Sequence, residues 1–201
     1  MKKIFSLLLS LSLVCWLSAC SAEAPGESPA EEASGAPALA EETGETLIAY
    51  FSWSGNTEQI AQIIQQETDG ELFEIAPAPP YTDNYDELLD IAQQEQSESA
   101  RPELANQVEN WDSYDVIFVG YPNWWSDAPM AVYTFLESYD FTGKTLIPFN
   151  TSSSGGFGRS LSNLAQSAAG ADILDGLAVT QGNLDNAHSE VTAWLEGLNL
   201  E

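Results

Sequence analysis

From Thr46 onward, apolar runs of strand length alternate with stretches whose apolar residues recur at helical spacing. This alternation constrains the fold most strongly, because repeated β-α units pack as a parallel sheet covered on both faces. Residues 47–51 (LIAYF) read as the first strand, and Ile60, Ile63 and Ile64 then form a helical stripe at i, i+3 and i+4. Residues 71–75 alternate like a half-exposed strand, and residues 86–96 read as a helix carrying Leu88, Leu89, Ile91 and Ala92. Residues 116–119 (VIFV) are continuously apolar, which suits a strand buried on both faces. Val132, Phe135, Leu136 and Tyr139 mark a third helix; residues 145–149 form a fourth strand, and residues 160–169 a weaker helix. Residues 173–179 read as a fifth strand interrupted by Asp175 and Gly176, before a last helix with Val191, Trp194, Leu195 and Leu198.

Polarity orders the strands. The first and third read as central, the second and fifth as edges. The expected fold is therefore a three-layer α/β/α domain with a doubly wound five-stranded parallel sheet of order 2-1-3-4-5. Pro148 lies in the fourth strand and cannot donate to the ladder, so it is expected to mark that strand's last turn.

The first 44 residues have a different character. Lys2 and Lys3 precede a short apolar run, and residues 17–20 (LSAC) end it with small residues. This is the pattern of a secretory signal, and the run is shorter than the roughly 17–25 residues of a membrane span. Its end resembles the bacterial lipoprotein signal, which implies cleavage after residue 19 and lipidation of Cys20. Residues 20–44 are rich in Pro, Ala, Glu, Gly and Ser and read as an acidic tether, with an end-to-end distance on the order of 25–30 Å. The remainder, residues 45–201, is the folded domain. No twin-Arg pair precedes the apolar run, so export in the unfolded state, with any cofactor bound afterwards, is expected.

Cys15 leaves with the signal and Cys20 is consumed by lipid, so the domain has no thiol for catalysis, disulfides or metal binding. Loss of Lys2 and Lys3 leaves three cations, Arg101, Lys144 and Arg159, against all 31 acidic residues, a formal charge of −28. Such a surface repels nucleic acid and anionic lipid. It favours basic proteins, cations or neutral small molecules.

Ligands of open parallel sheets bind beyond the strands' carboxyl ends, where strand order reverses. In this order the residues following strands one, three and four converge: 52–57 (SWSGNT), 121–129 (YPNWWSDAP) and 150–158 (NTSSSGGFG). The first leads directly into a helix. Ser52, Ser54, Asn56 and Thr57 add side-chain donors to the free N–H groups of a helix start, and Gly55 allows close approach. A phosphate can be held there without a cation. The loop lacks the Gly-Lys-Ser/Thr ending of a triphosphate loop and the glycines of a dinucleotide fingerprint. Plain helix capping is the competing explanation. In the second segment Trp124 and Trp125 cannot both enter one core, so at least one faces the cleft or solvent. The third is too rich in Ser and Gly to pack as core. Together the three suit a phosphorylated planar heterocycle.

At these residues the chain resembles the flavodoxins. Tyr50, Ser52, Gly55, Thr57, Ala61 and Ile64 follow the family's flavin mononucleotide (FMN) signature in order, with Ala49 where a larger apolar residue is usual. Pro122-Asn123-Trp124, Gly143-Lys144-Thr145 and residues 148–152 (PFNTS) resemble short bacterial flavodoxin-like proteins, with Ser153 and Ser154 where relatives often carry Gly-Gly. The resemblance spans about residues 46–198. It implies that Ser52, Ser54, Gly55, Asn56 and Thr57 bind the phosphate of FMN. It further implies that Pro122, Asn123, Trp124 and Trp125, with Thr151, Ser152, Ser153, Ser154, Gly155 and Gly156, flank the isoalloxazine ring. Trp53 either contacts the ribityl chain or covers the loop.

The leading expectation is a lipid-anchored FMN protein on the extracytoplasmic face of a bacterial membrane. It would transfer electrons with a redox partner protein or a small-molecule acceptor. An acidic surround lowers the flavin's potential and steers basic partners. The alternative is an FMN-dependent NAD(P)H:quinone reductase, or a reductase of a similar acceptor. The third is a flavin-less interaction domain, which an intact SWSGNT loop argues against. His188, the one histidine, reads as a surface residue, and no catalytic acid–base pair or metal cluster stands out.

Overall fold

The computed structural model describes residues 44–198 and Leu200. The chain divides into two units, residues 1–39 and 40–201, and the described residues all belong to the second. The signal and Cys20 lie outside the described residues, as does the tether apart from Gly44.

The elements follow the β-α alternation. They are β1 (Glu45–Tyr50), α1 (Asn56–Thr68), β2 (Glu71–Glu74), α2 (Tyr85–Glu98), β3 (Tyr114–Pro122) and α3 (Met130–Glu137). Then come β4 (Thr145–Ser152), α4 (Ser160–Ser167), β5 (Asp172–Ile173), β6 (Leu177–Thr180) and α5 (Ala187–Leu198). All pairings between these strands are parallel, in the order β2-β1-β3-β4-β5, with β6 also paired to β4. The fifth position of the sheet is thus filled by two short strands, split where Asp175 and Gly176 interrupt the apolar run.

The period-two pattern of the strands separates two cores. Leu47, Ala49, Ile117, Val119 and Tyr121 point to one face and pack with Val132, Phe135 and Leu136 of α3 and Leu164 of α4. Ile48, Tyr50, Phe118, Ile147 and Phe149 point to the other, against Ile60 and Ile64 of α1 and Val191 of α5. This is the expected three-layer arrangement.

Pro148 departs from expectation. It sits opposite Val119 inside β4, which continues four residues beyond it, so it does not mark the strand's last turn. The Leu146 carbonyl accepts from Leu174 N–H at 3.0 Å, so the backbone groups of residues 146 and 148 face the sheet edge. β5 pairs with Thr145 and Leu146, and β6 begins opposite Phe149. The missing N–H of Pro148 therefore faces the gap between β5 and β6, and no ladder bond is lost.

Gly120, between Tyr50 of β1 and Phe149 of β4, lets the sheet close over a large ring. A Cβ there would stand 2.1 Å from the fully buried Phe149 ring. Gly120→Ala is expected to destabilise the domain by about 1–3 kcal/mol through overpacking. Urea titration should show a lower midpoint at an unchanged slope.

Candidate cofactor site

The carboxyl ends of β1, β3 and β4 meet above the sheet. The connection from β1 to α1 is short. Gly55 takes the left-handed conformation (φ 83°) as the residue before α1, and no side chain caps the helix. Glycine is suited to this backbone, and its lack of a side chain leaves the helix end open. The carbonyl of Gly55 receives the first helical bond, from Gln59 N–H at 3.0 Å. The N–H groups of Asn56, Thr57 and Glu58 therefore have no partner within the helix. Plain capping, the competing explanation, does not occur. Ser54 and Gly55 are exposed and Asn56 is half-buried, all accessible to a ligand.

Ser52 Oγ is buried without any hydrogen-bond partner. A buried hydroxyl left unpaired costs about 1–3 kcal/mol unless something bonds it. Beside the open helix end, it suits a ligand rich in oxygen. Thr57 is fully buried, and its hydroxyl lies 2.8 Å from that of Thr151 at the end of β4. This bond ties the helix start to the far side of the switch point.

The second and third segments begin inside strands rather than loops. Pro122 closes β3, while Asn150, Thr151 and Ser152 belong to β4, because the ladder continues through Tyr121–Asn150 and Pro122–Thr151. Beyond them the chain turns tightly. Trp124 N–H donates to Asp127 O at 2.8 Å and Asp127 N–H to Trp124 O at 3.0 Å. Trp125 and Ser126, between them, both have positive φ (51° and 63°), the conformation of a type I′ turn. For a bulky residue this costs on the order of 1–3 kcal/mol.

The turn separates the two tryptophans, as their adjacency predicts. Trp124 packs edge-on against Phe51 (centroids 5.3 Å apart) and Tyr81 (5.4 Å). Trp125 is 48% exposed and donates its indole N–H to Leu89 O of α2 at 3.2 Å. Trp53 sits over the connection before α2, donating to Thr82 O at 2.9 Å with Tyr85 6.0 Å away.

The third segment is pinned as well. Gly156 O accepts from the side-chain amides of both Asn123 (2.9 Å) and Asn150 (3.0 Å). Asn123 N–H donates to Thr151 O at 2.8 Å, and Ser152 Oγ accepts from Gly155 N–H at 2.7 Å. Asn150 is fully buried, and its side-chain Oδ1 has no partner. Ser153 and Ser154 form an exposed tip.

Asp127, which the sequence pattern did not single out, organises this region. It is 4% exposed. Its Oδ1 accepts from Ala128 N–H and Tyr133 OH; its Oδ2 accepts from Arg159 Nε at 2.7 Å and Asn163 at 2.9 Å. Gln96 of α2 completes the clamp, donating to Trp124 O (2.7 Å) and accepting from Arg159 (2.9 Å). The Trp turn is thereby fixed to α2, α3 and the start of α4. Burial, then the Asp127 carboxylate, holds the Tyr133 hydroxyl protonated well above its ordinary range. Tyr121, whose hydroxyl lies 2.8 Å from Ser160 Oγ, is pushed up chiefly by burial.

None of the three domain cations takes part in the first loop. Lys144 is buried, with its ammonium donating to Tyr114 O at 2.5 Å and Trp111 O at 3.3 Å. Arg101 forms a bidentate pair with Glu137 at 2.7 and 2.8 Å, and Arg159 is held by Asp127. His188 is on the surface, 63% exposed. Among the described residues no group of His, Cys, Asp and Glu could hold a metal, and no helix is long and apolar enough to cross a membrane.

Comparison with known proteins identifies the fold's relatives. The sequence model of one family, described as Flavodoxin, matches residues 45–198. The chain belongs to the flavodoxin family. Among solved structures this flavodoxin is similar to a candidate flavoprotein from Bacteroides eggerthii, 31% identical over 79% of this chain and 99% of that one, with a TM-score of 0.69. A candidate flavoprotein from Bacteroides uniformis is 33% identical over 75% and 99% of the two chains, TM-score 0.67. A flavoprotein from Lactobacillus acidophilus, solved in complex with FMN, is 25% identical over 71% and 97%, TM-score 0.58. No protein with a curated functional description matches this flavodoxin.

Proposed function

We propose that this chain is an FMN-binding electron-transfer protein held at the extracytoplasmic face of a bacterial membrane by lipid on Cys20. The cofactor is FMN. The carrying observation is the uncapped start of α1 beside the unpartnered Ser52 hydroxyl, at the switch point of a flavodoxin sheet. Ser52, Ser54, Gly55, Asn56 and Thr57 hold the phosphate through backbone and side-chain donors. Pro122, Asn123, Trp124 and Trp125, with Thr151–Gly156 as a pinned wall, flank the ring. FMN supplies the redox chemistry when bound; the chain binds it, orients it and sets the field around it. The absence of a cation in the phosphate loop leaves that field negative, which lowers the potential and attracts basic partners.

Carrier and reductase readings separate on the purified holo-protein. As a carrier, it is expected to take up electrons in two resolved one-electron steps during anaerobic titration and to ignore NAD(P)H. Rapid bleaching by NAD(P)H would contradict that. Anchoring is tested by metabolic labelling with a fatty acid. Label should enter the parent chain and be lost in Cys20→Ser; label retained in the variant overturns the anchor.

A further inference from the structure

Next to the cofactor loops, on the α2 side of the Trp turn, lies an apolar groove of about 340 Å³. Trp53, Tyr85, Trp124, Trp125, Leu88 and Leu89 line it, with the Trp53 and Tyr85 rings 6.0 Å apart and Trp125 bonded to Leu89 O. No residue of the third loop lines it, so it is distinct from the face where Thr151–Gly156 and the Trp turn meet.

We propose that this groove binds a second ligand beside FMN: a flat, uncharged aromatic molecule of two or three rings. Shape is the first argument. Three indoles and a phenol line a slot at the lower end of small-molecule pocket volumes, roughly 300–1,000 Å³. The indole N–H groups of Trp53 and Trp125 are already spent on Thr82 O and Leu89 O, so these rings offer faces rather than donors. Charge is the second. No lining side chain is charged, while Asp83, Asp86, Glu87 and Asp90 surround the start of α2 and repel anions. Continuity is the third. Trp53 lies between the phosphate-loop serines, and Asn123 and Trp124 belong to the ring segment, so the occupant touches residues that also serve the cofactor. The rim carries the strain and the exposed apolar surface. Trp125 holds a positive φ, and Tyr85 is 59% exposed. The groove does not depend on the FMN assignment, since α2 supplies half of its lining residues, Tyr85, Leu88, Leu89 and Ala92.

The test is equilibrium dialysis of the oxidised, FMN-loaded full chain against 1,4-naphthoquinone. No Cys follows Cys20, so thiol addition does not interfere in the domain. Saturable one-to-one binding without release of FMN is expected. Tyr85→Ala should weaken it about tenfold or more, the scale of one lost ring contact, with FMN affinity within about twofold of the parent. Leu89→Gln provides a second variant if Tyr85→Ala folds poorly. Naphthoquinone-2-sulfonate should bind about tenfold more weakly at low salt. The Asn56→Asp chain, which is expected not to retain FMN, should bind naphthoquinone as the parent does. That result separates failure of the groove from failure of the cofactor assignment. Displacement of FMN by naphthoquinone, no binding, or binding unchanged in both groove variants would overturn the proposal.

Discussion

Asn56→Asp is expected to weaken FMN binding at least 100-fold, about 2.7 kcal/mol, while leaving the apo-domain as stable as the parent or more so. The two effects have one origin. Asn56 is the first residue of α1, whose N-terminus carries unpaired N–H groups and no side-chain cap. A carboxylate in this first turn is favoured by the helix dipole by roughly 0.3–1 kcal/mol. The same carboxylate opposes a phosphate: at about 6 Å and an effective dielectric near 20, each pair of unit charges costs roughly 3 kcal/mol. Nothing nearby offsets the added charge, since Arg101, Lys144 and Arg159 are all committed elsewhere. Quenching of FMN fluorescence gives the affinity, and thermal unfolding of the apo-protein gives the stability. An unchanged affinity would mean that the phosphate does not sit at this helix.

Asp127→Ala should produce the largest loss of stability. The substitution leaves Arg159 Nε, Asn163 Nδ2, Tyr133 OH and Ala128 N–H without the acceptor they share. A donor stranded in a buried site costs about 1–3 kcal/mol, so losing the acceptor shared by Ala128 N–H, Tyr133 OH and Asn163 should cost about 3–5 kcal/mol in all. For a domain of this size that lowers Tm on the order of 10 °C. FMN affinity should fall as well, because the Trp turn loses its tie to α4. Arg159→Ala is the informative contrast. It removes a side chain that is 56% exposed but leaves the Asp127 carboxylate, 5% exposed, without its cation. Because Ala128 N–H, Tyr133 OH and Asn163 still bond that carboxylate, the loss should be about 1–3 kcal/mol. Equal losses from both ends of the pair would show that the ion pair, and not the three other hydrogen bonds to the carboxylate, carries its contribution.

The layout of the sheet was legible because its cause is local. Strand periodicity assigned residues to two faces, and polarity placed β2 and the β5–β6 pair at the edges. The strand ends were harder. β3 and β4 extend into segments whose Pro, Asn, Thr and Ser residues suggest loops, because the parallel ladder continues to Pro122–Thr151 regardless of side-chain type. Pro148 misled for a related reason: its harmlessness depends on a gap in a neighbouring strand, which lies about 26 positions away at Leu174 and beyond. The phosphate loop could be read as a motif, but its uncapped helix and unpartnered Ser52 hydroxyl emerge only from geometry. Asp127 left almost no trace. Its side-chain partners Tyr133, Arg159 and Asn163 are 6, 32 and 36 residues away, and the one available signal was an acidic residue set among Ala and Pro directly before a buried helix.

The central claim is that a flavodoxin site without cations holds FMN by its phosphate. Parallel titration of the apo-protein with FMN and with riboflavin tests this most directly. The phosphate-free ligand should bind at least about 100-fold more weakly, and inorganic phosphate should compete with FMN. Equal affinity for the two flavins, or no binding of either, would contradict the account.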